Sequence, residues 1–216
     1  MRAITRLATC AILSVTMASG AQANELLDDF STPGDTGGWA FDFGSLVIPN
    51  VSQNPTEGSP GNALGALQLD MFFNTGQGGN NRFAFTDGSL FFPGRDLTGF
   101  DSVDFDLKIA DGAALDAFGN HGFFEFVSRE GDGFGFNSVL GQNLAPTTGV
   151  WIPFSVPTDT MTETRAFTIQ LYGGPSQDID GQITLFIDNI RLVVPEPSSA
   201  LLACMLFGTA AFRRRA

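Results

Sequence analysis

Carboxylate side chains are the most abundant groups in this sequence that could do chemistry. A glycosidase uses two of them across a cleft, one with a raised pKa. Three pairs lie close enough in sequence to be considered, namely Asp104 with Asp106, Glu125 with Glu130, and Asp178 with Asp180. Acidic residues that alternate with apolar ones are, however, typical of the solvent-facing side of a β-sheet. The sequence therefore predicts a protein that is not an enzyme, with a glycoside hydrolase-like enzyme kept as an alternative.

Groups for nucleophilic catalysis or zinc binding are scarce. His121 is the single histidine, and it lies in a Gly-rich stretch that predicts a turn. No Gly-x-Ser-x-Gly motif accompanies it, so a catalytic triad has no support. The two cysteines, Cys10 and Cys204, fall in hydrophobic terminal segments. Thiol catalysis and zinc sites built from Cys or from a His cluster are therefore excluded for the sequence between them.

The central part of the chain is strongly acidic. The whole sequence has 23 acidic and 11 basic residues, and one acidic and five basic residues fall in the terminal segments. Residues 24–194 thus carry 22 acidic and six basic side chains, a formal charge of −16. Such a field repels nucleic acid, because binding to a phosphate backbone depends on cationic side chains. It fits calcium, a cationic partner or simple solubility.

Aromatic rings that stack on sugar rings, with polar groups that fix the hydroxyls, would support glycan recognition. Trp39, Trp151 and Tyr172 are the candidates. Trp151 lies in an apolar run and is expected in the core, whereas Trp39 follows a pair of glycines and is predicted to bind ligand. The 22 phenylalanines are expected to fill the core.

The elements that position these residues are predicted to be β-strands. Apolar residues recur at every second position, as from Val103 to Ile109, which indicates strands with one buried and one solvated face. About ten such segments lie between clusters of Gly, Pro, Asn and Asp, and no useful helical period occurs. Across Asp188-Asn189 the apolar spacing slips from two to three, which predicts a β-bulge. The pattern predicts an all-β sandwich over residues 24–193.

The two ends of the sequence are predicted to be targeting segments. Residues 1–23 carry two arginines, an apolar run and a small-x-small site at Ala21–Ala23, the features of a cleavable signal peptide. At the other end, an uncharged run over 200–212 would rise only about 20 Å as a helix, against a hydrocarbon core of about 30 Å. A hydrophobic helix this short is expected to anchor the chain in the inner membrane only temporarily, with the final arginines on the cytoplasmic side.

The C-terminal segment 194–216 resembles the PEP-CTERM sorting tail. The residues that carry this resemblance are Val194, Pro195, Glu196, Pro197, Arg213, Arg214 and Arg215. The resemblance implies recognition by an exosortase, an envelope processing enzyme, and a final place at the cell surface or in the extracellular matrix. The resemblance indicates where the protein is localised and leaves the activity of the central domain open.

The central domain resembles the jelly-roll carbohydrate-binding modules. The resemblance rests on Leu26–Phe30, on Gly38-Trp39, on Val150–Phe154 and on Phe186–Leu192. It implies a jelly-roll-like β-sandwich and a structural calcium that joins the first and last strands, where the matching residues are Asp29 and Asp188.

These observations together predict an exported envelope or exopolysaccharide-associated protein whose non-catalytic sandwich binds polysaccharide. The alternative that the sequence leaves open, besides a hydrolase, is a structural matrix protein without a small ligand.

Overall fold

The computed structural model describes residues 24–44, 47–62, 64–74, 82–88, 90–91, 93–173 and 179–195. Within these ranges the chain forms eleven β-strands and no helix. In chain order they are β1 (Glu25–Asp28), β2 (Ala40–Gly44), β3 (Asn50–Asn54), β4 (Ala66–Phe73), β5 (Arg82–Thr86), β6 (Ser102–Ile109), β7 (Phe123–Glu130), β8 (Gly135–Asn143), β9 (Trp151–Pro157), β10 (Thr164–Tyr172) and β11 (Gly181–Val193).

The strands form two antiparallel sheets. One sheet has the order β3-β4-β11-β6-β9, and β1 pairs with the C-terminal half of β11. The other has the order β2-β5-β10-β7-β8. This arrangement of two antiparallel sheets around one core confirms the predicted jelly-roll-like β-sandwich.

The core lies between the two sheets and is rich in phenylalanine. Phe105 of the six-stranded sheet stacks on Phe126 of the five-stranded sheet, with ring centres 5.5 Å apart, and Phe73 meets Phe83 edge to face at 4.9 Å. Offset and edge-to-face contacts of this kind add to the stability gained from burying the rings. The expectation that the phenylalanines fill the core holds for most of those described, but Phe72, Phe118 and Phe136 are exposed.

The predicted bulge in the last strand is confirmed. The pairing of β11 with β6 shifts register between Asp188 and Arg191, and Asn189 has a φ of 57°. Asparagine tolerates this left-handed conformation better than most residues. The bulge lets both Ile187 and Ile190 point into the core, where they are buried.

One strand, β3, was not predicted. Its sequence Asn-Val-Ser-Gln-Asn has a single strongly apolar residue, Val51, and therefore no alternation to detect. It is an edge strand that pairs only with β4, so the backbone N–H and C=O groups on its other side are not bonded to another described strand.

The predicted signal peptide (1–23) and nearly all of the predicted sorting segment lie outside the described residues. Of the sorting motif, only Val194 and Pro195 are described, directly after β11. No helix in the described part of the chain is long and apolar enough to cross a membrane.

Candidate functional site

The outer face of the five-stranded sheet carries a concentration of aromatic and polar side chains. Phe83, Phe85 and the inward residues of the neighbouring strands are buried, so the alternate residues of each strand point away from the core. On β5, β10 and β7 these outward residues include Arg82, Gln170, Tyr172 and Glu125, which the pairing register brings side by side.

A groove of about 480 Å³ lies on this face. We call it the Tyr172 groove, and the side chains that define it are Phe43, Arg82, Glu125, Phe136, Gln170 and Tyr172. Small-ligand pockets in proteins typically measure about 300 to 1,000 Å³, so this groove is large enough for a small ligand. Its residues come from all five strands of the sheet.

Hydrogen bonds fix the polar side of the groove. The Tyr172 hydroxyl lies 2.9 Å from Glu125 Oε2 and 2.8 Å from Gln170 Oε1 and can donate to either. Ser138 Oγ donates to the other oxygen of Glu125. Burial raises the pKa of Tyr172, the bond to Glu125 raises it further, and the nearby Arg82 lowers it. Tyr172 therefore remains a hydrogen-bond donor at neutral pH.

The aromatic side of the groove is formed by Phe43 and Phe136, which come from the two opposite edge strands, β2 and β8. Their rings meet edge to face with centres 5.8 Å apart, and we call the pair the Phe43–Phe136 wall. In a flat five-stranded sheet the two edge strands would lie about 19 Å apart. Because the two rings are only 5.8 Å apart, the sheet must curve and both side chains must lean over its outer face. Phe136 is 54% exposed and offers a ring surface to solvent.

Arg129 supports this wall from below. Its guanidinium carbon lies 3.8 Å from the Phe136 ring centre. The same side chain donates to Thr168 Oγ1 at 2.9 Å and to Asp42. Because Arg129 is only 8% exposed, it acts as a fixed base for the ring above it.

The structure contradicts the prediction that Trp39 stacks on a sugar ring. Trp39 is 4% exposed and belongs to the hydrophobic core, so neither face of the indole is open. Trp151 was expected in the core but is half-buried on the outer face of the six-stranded sheet, with Lys108 Nζ 5.3 Å from its ring centre. Of the three aromatic candidates, only Tyr172 lies in the groove.

Sequence reasoning missed Phe43 and Phe136, which the composition had grouped with the core phenylalanines. The sequence held a weak indication that Phe136 is exposed. Phe134 and Phe136 lie in a Gly-rich stretch, where few neighbouring apolar side chains are available to cover both rings. For Phe43 no signal was available, since its orientation depends on the register shift between Phe41 and Phe43 in the pairing with β5.

The candidate catalytic carboxylates are not brought together in the groove. Glu125 is the only carboxylate among the described residues that line it. Glu130 instead accepts hydrogen bonds from Ser128 and Thr164. His121 is buried, and its Nδ1 lies 2.8 Å from the Ala114 carbonyl oxygen.

The proposed metal ligands lie near the junction of the paired strands β1 and β11. Asp29 follows β1 directly, and Asp188 lies in β11, to which β1 is hydrogen-bonded. Asp188 is fully buried; Oδ2 accepts a hydrogen bond of 2.7 Å from the Ser59 backbone, while Oδ1 has no partner in the described part of the chain. Burial raises the pKa of Asp188, whereas hydrogen bonds from Ser31 lower that of Asp29.

A second acidic group, Asp106, faces Asp188 across the pairing of β11 with β6. Three or more acidic, histidine or cysteine side chains that could hold a metal do not cluster anywhere in the described ranges. A hard cation here would therefore take Asp188, with further oxygens from backbone carbonyls. The unpartnered buried oxygen of Asp188 fits such a cation.

No known family model matches the chain, and no curated protein matches it. Solved structures do. The chain is similar to a carbohydrate-binding module of the β-sandwich superfamily described as promiscuous in specificity, with a TM-score of 0.56 and 16% identity over 80% of this chain and 63% of that one. It is also similar to a module specific for non-crystalline cellulose (TM-score 0.53, 14% identity, 80% and 96% covered). A third similar structure is a mannan-recognising module (TM-score 0.51, 18% identity, 78% and 95% covered). The chain thus has the β-sandwich fold of carbohydrate-binding modules.

Proposed function

We propose that this protein is an exported, non-catalytic glycan-binding domain that is delivered to the envelope through its C-terminal segment. The observation that carries the glycan-binding part is the Tyr172 groove, which combines exposed aromatic surface with an ordered set of donors and acceptors. Aromatic surface can cover the apolar face of a sugar ring, and polar groups such as Arg82 and Ser138 can fix its hydroxyls. Solved structures with this fold include modules for mannan and for non-crystalline cellulose, which supports the proposal.

The described residues of the groove include one carboxylate, which supports a non-catalytic role. Glycoside hydrolysis by the usual mechanism needs two carboxyl groups on opposite sides of the bond. Glu125 is the one such group among the described lining residues, and both of its oxygens already accept hydrogen bonds from Tyr172 and Ser138.

The test is retention of the purified protein on soluble mannan, a soluble cellulose derivative and xylan in affinity electrophoresis. We expect Phe136→Ala to weaken retention by roughly tenfold, by analogy with nucleic-acid bases, whose stacking on one aromatic ring contributes about 1 to 3 kcal/mol. Phe118→Ala is the matched control, because Phe118 is 74% exposed and does not line the groove. Equal losses in both variants, or retention unchanged by Phe136→Ala, would remove the groove from the proposal.

A structural matrix protein without a small ligand is the second candidate. The burial of Trp39 favours it, because the tryptophan that was expected to bind ligand is part of the core. Under this alternative no polysaccharide in the test above retains the protein.

We also propose that calcium binds where the first and last strands meet. Asp188 would supply a carboxylate oxygen and Asp29 a second, and the ion would lower the cost of burying the charge of Asp188. This proposal is supported by the unpartnered Oδ1 of Asp188 and by the pairing of β1 with β11.

A further inference from the structure

Almost every basic side chain in the described part of the chain has a carboxylate partner. Five of the six pair in this way: Arg95 with Glu25, Lys108 with Glu57, Arg129 with Asp42, Arg165 with Asp132, and Arg191 with Asp104. This is expected for a domain in which acidic residues greatly outnumber basic ones.

Arg82 is the exception. Within the described ranges it forms no ion pair, although it lines the Tyr172 groove together with Glu125. Its guanidinium carbon lies instead 4.8 Å from the ring centre of Phe43 and 5.9 Å from that of Tyr172. Cations held over aromatic rings in this way are attracted to the ring faces.

The neighbouring carboxylate forms no ion pair with Arg82 in the described ranges. The two oxygens of Glu125 instead accept hydrogen bonds from the hydroxyls of Tyr172 and Ser138. The groove therefore contains a carboxylate that is held by hydroxyl groups of the protein and a guanidinium that lies over ring faces. Arginine presents a planar fork of N–H donors that matches a carboxylate in two parallel hydrogen bonds.

We propose that the ligand of the Tyr172 groove is an acidic glycan, with the carboxylate of a uronic acid unit bound by Arg82. This inference rests on the proposed glycan-binding function and narrows it to one class of sugar. The formal charge of −16 on residues 24–194 opposes the approach of a polyanion, but salt at physiological concentration screens this field beyond about 8 Å. Contact in the groove then decides affinity, and the ligand carboxylate must face Arg82 and point away from Glu125.

The experiment compares uronic acid polymers with their own carboxyl-reduced forms, in which each carboxylate has become a hydroxymethyl group. The probes are polygalacturonate, mannuronate-rich alginate and glucuronoxylan, measured by isothermal titration calorimetry with the full-length protein. We expect at least one of them to bind about tenfold more tightly than its reduced form, the difference that a charge-assisted hydrogen bond supplies. We expect this difference to disappear in Arg82→Gln.

Two further variants separate the charge from its geometry and from general electrostatics. Arg82→Lys keeps the charge but loses the planar fork, and we expect it to retain only part of the preference. Arg191→Gln removes an equal charge outside the groove and should leave the preference unchanged. Because Arg82 has no ion pair in the described ranges, Arg82→Gln should melt within a few degrees of the unmodified protein.

The outcomes distinguish this inference from the proposed function. If reduced and unreduced polymers bind equally, or if Arg82→Gln keeps the preference, the uronic acid assignment is wrong while glycan binding stands. If none of these polymers, mannan or the cellulose derivative binds, the proposed function fails and the inference fails with it.

Discussion

At the scale of single residues, burial separates the side chains that hold the fold from those that meet a ligand. Trp39 lies in the core and Phe136 lies on the surface. Truncation of Trp39 should therefore mainly lower stability, and truncation of Phe136 should mainly weaken ligand binding. Neither of these roles follows from residue type alone.

Trp39→Ala should lower the free energy of unfolding by about 3 to 5 kcal/mol, the usual cost of removing a large buried aromatic side chain. Chemical denaturation measures this change. Phe136→Ala is the comparison, and it should cost less, about 1 to 2 kcal/mol, because it removes only an aromatic pair with Phe43 and a cation–π contact with Arg129. A Trp39→Ala variant of undiminished stability that no longer bound glycan would place Trp39 in the binding site after all.

The ion pair between Glu25 and Arg95 should make a small, pH-dependent contribution to stability. Arg95 donates two hydrogen bonds to Glu25, of 2.7 and 2.6 Å, and this lowers the pKa of Glu25 below its ordinary value of 4.5. A lowered folded-state pKa means that the stabilisation is complete above the ordinary value and is lost as the pH falls through the lowered one. Because the side chains are 32% and 42% exposed, the effect should stay below about 1 kcal/mol.

Glu25→Gln tests this contribution through denaturation curves at several pH values. The variant should be slightly less stable than the unmodified protein at pH 7, and the two should converge in acid, where Glu25 is protonated. A difference that persisted unchanged in strong acid would mean that the substitution acts through packing and not through charge.

At the scale of elements, the sequence was sufficient where a strand has one buried and one solvated face. The strand β6 alternates throughout, and the apolar residues predicted to face the core, from Val103 to Ile109, are buried. The bulge at Asp188-Asn189 was also visible, because a slip in apolar spacing is a local signal. The edge strand β3 was not, since its pairing is decided by β4 and not by its own residues.

The candidate site depends on information that a local pattern does not contain. Phe43 and Phe136 lie 93 positions apart in the sequence, and they meet only because the five-stranded sheet curves and both edge strands shift register. Tyr172 could be named in advance as an aromatic candidate, but its hydrogen bond to Glu125 follows from the pairing of β10 with β7.

Calcium, where bound, should stabilise the junction of β1 with β11. A ligand of the native state at a hundredfold excess over its dissociation constant adds about 2.7 kcal/mol, which corresponds to roughly 5 to 11 °C in melting temperature for a domain of this size. Scanning calorimetry with calcium and with chelator measures the shift. Asp188→Asn should abolish it, whereas Asp104→Asn, on the neighbouring strand β6, should not. Identical melting with and without chelator would exclude calcium from this junction.

At the scale of the whole molecule, the predicted targeting segments imply two cleavages. In a host that carries an exosortase, we expect a mature protein that begins near Asn24 and ends near Pro195-Glu196-Pro197. Intact-mass spectrometry of the secreted protein decides this, with a host that lacks the enzyme as the control. A secreted form that still carried Arg213 to Arg215 would contradict the sorting interpretation.

The place where the chain leaves the sandwich has a mechanical consequence. β11 lies between β4 and β6 and also pairs with β1, and the Val194 amide donates to Asn24 at 3.1 Å. As long as the C-terminal segment is anchored, before its predicted removal, tension on it would pull along β11, so that the hydrogen bonds on both sides of this strand are sheared together instead of being broken one at a time. Tension between a tethered tail and a glycan bound on the other sheet would thus be spread over several strands.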